Sequence, residues 1–182
     1  MAGGSRYELS ESNREESMTR EKLLRIIQAA KAGRRTALEL GSNKIKELPP
    51  EIGNLTNLMD LTLTGNELER LPVEIKNLKK LKRLGLNYQK FTSFPVEIFS
   101  LEKLGELYMR GNRITELSAE IGNLKNLTRL DLRGNRLKRL PRELGRLQRL
   151  ELLFVDGNPL EDPPLEVVAE GSDAVLEYLR SR

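Results

Sequence analysis

A 23-residue repeat is the feature of this sequence that most constrains its fold. Asparagines follow leucine-containing runs at a constant spacing, at Asn43, Asn66, Asn112, Asn135 and Asn158, and Gln89 fills the remaining step. The repeats are 35–57, 58–80, 81–103, 104–126, 127–149 and a divergent sixth that begins at residue 150. A fixed period with no insertion predicts a solenoid, in which each repeat forms one turn of a coil and contacts only its neighbours.

Each repeat follows the pattern LxxLxLxxNxLxxLPxEIxxLxx. Leucines at positions 4 and 6 alternate with other residues, which is typical of a short half-buried strand. Apolar residues at positions 11, 14, 18 and 21 predict a return path through a short turn or helical segment. Burying one leucine stabilises by about 1.5–3 kcal/mol, whereas ordering each backbone residue costs about 1–2 kcal/mol. A single repeat therefore cannot fold alone, and stacking is required.

The residues that follow each strand predict a sharp turn. Glycine precedes the position 9 asparagine in most repeats, at Gly65, Gly111, Gly134 and Gly157, and Tyr88 replaces it in the third repeat. An asparagine side chain can satisfy backbone groups that a tight turn leaves unpaired. We therefore expect a ladder of amides along the coil with a structural role.

The pattern resembles the cytosolic leucine-rich-repeat family, in the 23-residue LPxEIxxL class of bacterial repeat proteins and Ras-linked eukaryotic scaffolds. The second repeat carries it through Leu58, Leu61, Leu63, Asn66, Leu68, Leu71, Pro72, Glu74, Ile75 and Leu78. The resemblance implies an α/β horseshoe with one parallel strand per repeat and a role in protein binding. The ending NPLxxPPxEVVxxGxxAVLxYLR is similar to the repeat domains of bacterial Roco-type proteins, where such a helix often leads into a GTPase domain.

The two ends depart from the repeat and predict helical caps. Residues 1–16 are polar and aperiodic, as in a flexible tail. A helix is predicted over 17–34, with Thr19 as its cap, Gly33 at its end, and Leu23, Ile26, Ile27 and Ala30 on its inner face. Residues 163–182 predict a second cap, in which Ser172 or Asp173 is the N-cap of the last helix. Val175, Leu176 and Leu179 would then cover the final repeat.

The composition excludes several function classes. The chain contains no cysteine and no histidine, so thiol chemistry, histidine acid–base catalysis and the commonest metal ligands are excluded. It also lacks the GxxxxGK[ST] phosphate-binding loop and any apolar run long enough to span a bilayer. We expect no catalytic residue, no metal and no cofactor, and a monomeric cytoplasmic protein.

The side chains at repeat positions 3, 5 and 7 line the predicted concave face, and their identities are not dictated by the core. From the third repeat onward this row becomes rich in arginine and aromatic residues, which are common at protein interfaces. The predicted partner-binding residues are Arg83, Tyr88, Tyr108, Arg110, Arg129, Arg133, Leu152 and Phe154. Two alternatives stay open: the arginines form only solvated pairs with residues such as Glu106 and Asp131, or the C-terminal helix covers Leu152 and Phe154.

These features favour a protein-binding adaptor, scaffold or signalling module over an enzyme. Three alternatives remain: an electrostatic binder of nucleic acid or anionic membrane, a non-catalytic fragment of a larger GTPase, and a designed repeat scaffold. The net charge is only +4, and sparse aromatic residues disfavour nucleic acid. A second basic row, Lys44, Lys90, Arg113 and Arg136, is interrupted by Glu67 and is expected to be a solvated rim.

Overall fold

The computed structural model describes residues 18–182, in which six short parallel strands form one open sheet in chain order. The strands are β1 (Ala37–Glu39), β2 (Asp60–Thr62), β3 (Arg83–Gly85), β4 (Glu106–Tyr108), β5 (Arg129–Asp131) and β6 (Leu152–Phe154). Equivalent residues of successive repeats pair directly, as Ala37 does with Asp60 and Asp60 with Arg83. The predicted solenoid with one strand per repeat is confirmed; the expected tail at 1–16 lies outside the described residues.

The strands form where the sequence alternates, because the position 4 leucine of each repeat faces the core. These leucines are all buried, at Leu38, Leu61, Leu84, Leu107, Leu130 and Leu153. The flanking positions 3 and 5 point to the opposite face of the sheet, as strand geometry requires. The variable side chains therefore share one surface along the whole coil.

The return path runs through 3₁₀ turns at Pro50–Asn54, Val73–Asn77, Val96–Ser100, Ala119–Asn123 and Arg142–Arg146. A proline precedes four of these turns and sets an extended backbone just before the first turn residue. Ser118 takes that place in the fourth repeat, and its Oγ accepts a hydrogen bond from the N–H of Glu120 at 3.2 Å. In the fourth repeat a side-chain hydrogen bond to the turn therefore takes the place of the proline ring found in the other repeats.

Buried side-chain amides join each repeat to the one before it. The Oδ1 atom of Asn135 accepts from the N–H of Ile114 at 3.1 Å, and its Nδ2 donates to the carbonyls of Met109 at 2.9 Å and Leu132 at 3.0 Å. Asn66, Asn112 and Asn158 make the same pattern of bonds. The predicted ladder is present and is continuous along the coil.

The third repeat keeps the ladder with different residues. Gln89 donates through Nε2 to the carbonyl of Leu63 at 2.6 Å and accepts through Oε1 from the N–H of Leu68 at 3.0 Å, so both links to the second repeat survive. Phe91 is buried nearby, and Phe94 stacks on Phe99 with ring centroids 5.2 Å apart. The three phenylalanines of this repeat therefore pack in or against the core, in place of the leucines and other residues of its neighbours.

Helix α1 (Arg20–Ala32) covers the first repeat. The Thr19 Oγ1 atom accepts from the N–H of Lys22 at 3.2 Å, and the inner face buries Leu23, Ile26, Ile27 and Ala30. Gly33 follows the helix with an ordinary negative φ, and the left-handed conformation falls on Arg34 instead, with φ of 48°.

Helices α2 (Leu165–Ala169) and α3 (Ser172–Arg180) cover the other end, with Val175, Leu176 and Leu179 buried. The prediction that Ser172 or Asp173 caps α3 was wrong, because Gly171 holds the cap position and makes no side-chain cap bond. The Ser172 hydroxyl instead accepts from the N–H of Leu153 at 3.0 Å and donates to the carbonyl of Leu153 at 2.9 Å. It thereby closes the exposed edge of β6.

Removing one ladder amide should destabilise the whole coil. In Asn135→Ala the buried N–H of Ile114 loses its acceptor, and we expect the free energy of unfolding to fall by about 2–3 kcal/mol. Denaturant unfolding measures the effect. The exposed Asn123→Ala is the control and should change stability by less than about 0.5 kcal/mol. Equal losses in the two variants would show that the ladder is not structurally important.

Helix α3 packs so closely on Gly145 that there is no room for a methyl group at that position. A Cβ on Gly145 would lie 2.8 Å from the backbone nitrogen of Arg180 and 2.9 Å from the carbonyl carbon of Leu179. Gly145→Ala should therefore displace α3 and cost about 1–3 kcal/mol, seen as faster hydrogen exchange in α3. At Gly105 the nearest atom would be 3.6 Å away, so Gly105→Ala should leave that exchange unchanged.

Candidate partner-binding surface

The concave face is formed by the side chains at positions 3, 5 and 7 of the stacked repeats. The parallel register sets Thr62, Gly85 and Tyr108 side by side across β2, β3 and β4. Because Gly85 has no side chain, a shallow depression opens at the centre of the face, beside Arg83 and Tyr108. Sequence reasoning missed this depression, although a glycine at an outward strand position was its signal.

Arg83 is held between the carboxylates of the two neighbouring strands. Its Nη1 lies 3.2 Å from Asp60 Oδ2, and its Nε lies 3.1 Å from Glu106 Oε2. The Tyr108 hydroxyl donates to the same Glu106 oxygen at 2.6 Å. The solvated-pair alternative from the sequence therefore describes Arg83, whose charge is already balanced within the face.

This cluster shifts the ionisation of its members. The hydrogen bond from Tyr108, followed by that from Arg83, lowers the pKa of Glu106 despite partial burial. Burial, with a smaller contribution from Glu106, raises the pKa of Tyr108. Both residues keep their usual forms near neutral pH: a carboxylate that accepts and a phenol that donates.

Arg133 is also committed to an internal partner. It donates through Nε to Asp131 Oδ1 at 2.9 Å and through Nη2 to Oδ2 at 2.6 Å, and Asp131 is only 3% exposed. The guanidinium also lies over the ring of Phe154, 4.9 Å from its centroid. Arg133 thus compensates a buried carboxylate and presents a flat surface with Phe154.

Tyr88 is exposed at the rim, and its backbone has the left-handed conformation that favours glycine. Its φ is 54°, where the equivalent position holds Gly65, Gly111, Gly134 and Gly157. Its side chain is 51% exposed, and the Arg110 guanidinium carbon lies 5.9 Å from its ring centroid. A Cβ on Gly111 would collide with the ring at 2.5 Å, so the ring rests directly on the next repeat.

The remaining predicted residues complete a continuous row. Arg129 contacts Tyr108 closely enough to oppose the rise in the pKa of its hydroxyl. Leu152 and Phe154 are partly buried on β6. Neither Arg110 nor Arg129 forms an ion pair with a carboxylate of residues 18–182, which leaves them as available cations. Asn87, which the sequence did not single out, accepts from the N–H of Arg110 at 2.8 Å and fixes that backbone.

The described part of the chain contains neither a cluster of metal-ligating side chains nor a membrane-spanning helix. Between residues 18 and 182, no group of three or more potential metal ligands comes together. No helix in that range combines the length and apolar character needed to cross a bilayer.

Comparison with solved structures identifies related solenoids. A leucine-rich-repeat protein of Leptospira interrogans is 42% identical with a TM-score of 0.70, and the match covers 74% of this chain but 34% of that protein. The plant peptide hormone receptor RGFR1, solved in complex with RGF2, is 38% identical with a TM-score of 0.61, covering 69% of this chain and 21% of the receptor. The chain therefore spans about a third or less of these relatives.

An internalin of Listeria monocytogenes shares the fold, with a TM-score of 0.67 at 23% identity over 79% of this chain and 41% of the internalin. A comparison with curated proteins gave no match. The leucine rich repeat family matches segments 36–91, 79–137 and 102–160, which overlap to span most of the chain. The chain belongs to the leucine-rich-repeat family.

Proposed function

We propose that this chain is a protein-interaction module that binds a protein partner on its concave face, from Arg83 to Phe154. Leucine-rich-repeat domains, receptor ectodomains and internalins among them, are generally protein-interaction modules. The contacting residues in this proposal are Arg83, Tyr88, Tyr108, Arg110, Arg129, Arg133, Leu152 and Phe154. Tyr88 and Arg110, at the rim, are its principal contacts, because they are exposed and not committed to the core.

The conformation of Tyr88 is the observation that carries the proposal. A non-glycine residue in the left-handed region costs about 1–2 kcal/mol. Four sibling repeats avoid that cost with glycine, and the first repeat has the small Ser42 there, so Tyr88 alone places a large side chain at this position. The exposed ring does not repay it by filling the core. Strained backbone that packing does not require is typical of functional sites, and tyrosine beside arginine is a favoured interface pair.

The charge pattern favours a protein over nucleic acid or anionic lipid. Positions 3, 5 and 7 of the six repeats carry four arginines and five carboxylates, the latter at Glu39, Asp60, Glu106, Asp131 and Asp156. A nearly neutral face with interspersed signs gives little counterion release against phosphate. Such a face is instead suited to a partner with matching positive and negative groups.

We further propose that the module acts as a cytoplasmic monomer, as an adaptor or as a regulatory region beside a GTPase. Closure of the β6 edge by Ser172 supports the monomer, because an open strand edge promotes association. The similarity of the C-terminal helix to Roco-type proteins supports the regulatory role.

Replacing Tyr88 with glycine should separate stability from binding. In Tyr88→Gly, relief of the left-handed strain offsets loss of the ring contact with Gly111, so the free energy of unfolding should stay within about 1 kcal/mol. Retention of the natural partner should fall by about tenfold or more. The measurement is mass spectrometry of proteins that the immobilised chain retains from a lysate of its source cells.

Ser42→Gly is the matched control, because Ser42 occupies the equivalent position of the first repeat with φ of 58°. It should leave retention unchanged. If Tyr88→Gly retains the same proteins at the same level as the original chain, the central contact of the proposal is wrong.

Reversing the charge of Arg110 tests the same face independently. Arg110→Glu removes a cation that no carboxylate of residues 18–182 pairs with, so partner retention should fall by about tenfold while the fold persists. Lys125→Glu makes the same charge change at an exposed position away from the concave face and should have no effect. Arg133 is less suitable, since its loss would leave the buried Asp131 unpaired. Equal effects of Arg110→Glu and Lys125→Glu would point to net charge alone.

A further inference from the structure

A second groove lies outside the concave face, on the side of the coil where the chain passes from the strands to the 3₁₀ turns. Its floor is formed by Leu117, Leu140 and Pro141, and cationic side chains of the fifth repeat stand along its wall. We propose that this lateral groove binds an acidic segment of a partner protein that also carries apolar side chains.

The floor supplies the apolar part of the site. Leu117 and Leu140 lie at the bottom of the groove and are 8% and 5% exposed, and the partly exposed Pro141 adds to the apolar surface beside them. A leucine or similar side chain from a partner would remove this surface from water.

The wall supplies the charge. Arg136 and Arg139 form no ion pair with a carboxylate of the described residues, whereas Lys138 lies 3.2 Å from Glu161. Arg136 belongs to the basic row that the sequence predicts as a solvated rim, and Arg139 lies outside that row but lines the same groove. These cations lie directly beside the apolar floor.

In the second and third repeats the cations at the same repeat positions are neutralised by carboxylates. There Lys90 Nζ lies 2.7 Å from Glu67 Oε2, and Arg70 Nη2 lies 3.6 Å from Glu47 Oε1. Lys90 and Arg136 share one repeat position, and Arg70 and Arg139 share another. At these two positions the cations of the second and third repeats are therefore compensated by carboxylates, whereas those of the fifth repeat are not.

Peptide fits the groove better than nucleic acid does. No aromatic side chain lines the groove to stack a base, and Glu116 and Glu161 interrupt its positive charge, so the groove offers no continuous cationic path for a phosphate backbone. A peptide can instead place single carboxylates opposite the two unpaired arginines and keep them away from these glutamates. An extended peptide presents successive side chains in opposite directions. Apolar residues would face Leu117 and Leu140 while carboxylates reach Arg136 and Arg139.

The test uses a fluorescein-labelled peptide of about 12 residues, in which leucines are separated by glutamates and aspartates. Fluorescence anisotropy measures its binding to the full chain. The double variant Arg136→Glu/Arg139→Glu should weaken binding by about tenfold or more. A companion peptide with alanine in place of leucine should also bind more weakly, because it cannot fill the apolar floor.

The matched control is Arg70→Glu/Lys90→Glu, which reverses the same number of charges at the same repeat positions. It should change the affinity by less than about twofold, and circular dichroism confirms that each variant is folded. Arg110→Glu is the second control and should leave the affinity unchanged, which separates the lateral groove from the concave face.

The proposal is overturned by no binding up to about 1 mM peptide, by equal weakening in the two double variants, or by weakening in Arg110→Glu alone. Equal affinity of the leucine and alanine peptides would show that charge alone acts and would also contradict it. If a labelled single-stranded RNA binds more tightly than the peptide with the same dependence on Arg136 and Arg139, the groove is a nucleic-acid site instead.

Discussion

Burial of leucine against the neighbouring repeat is the interaction on which the rest of this structure depends. A repeat has one strand and one 3₁₀ turn, and its leucines become inaccessible to water only when another repeat or a capping helix covers them. Stacking brings backbone groups into the interior, and the amide ladder from Asn66 to Asn158 satisfies them. The core and the ladder therefore require the same 23-residue register.

That register leaves the concave side chains free to vary, because none of them has to fill the core. The chain uses this freedom in two ways. Arg83 and Arg133 are tied to carboxylates and give the face a fixed shape, while Tyr88 and Arg110 extend from the rim without such commitments. A rigid surface with a few exposed aromatic and cationic groups loses little conformational entropy when a partner binds.

The sequence predicts the features that recur in every repeat, but few of those that depend on a single contact. The strands, the ladder and the left-handed turn position follow from a pattern repeated six times, and even Gln89 was correctly assigned to the ladder. The role of Ser172 was not predictable, because its choice between capping α3 and bonding Leu153 depends on where the helix docks. The depression at Gly85 and the lateral groove were likewise not predictable. Each arises where one repeat has a small side chain or none, and its shape depends on the larger side chains of the neighbouring repeats.

Hydroxyl-radical footprinting of the chain with and without its captured partner tests the central claim most directly, because it reports the solvent exposure of individual aromatic side chains. The account predicts that the partner reduces oxidation of Tyr88, Tyr108 and Phe154 on the concave face. Phe99 beside the 3₁₀ turns and Tyr178 on the C-terminal cap should be oxidised as before. Protection of Phe99 or Tyr178 with no change at Tyr88 would contradict binding on the concave face.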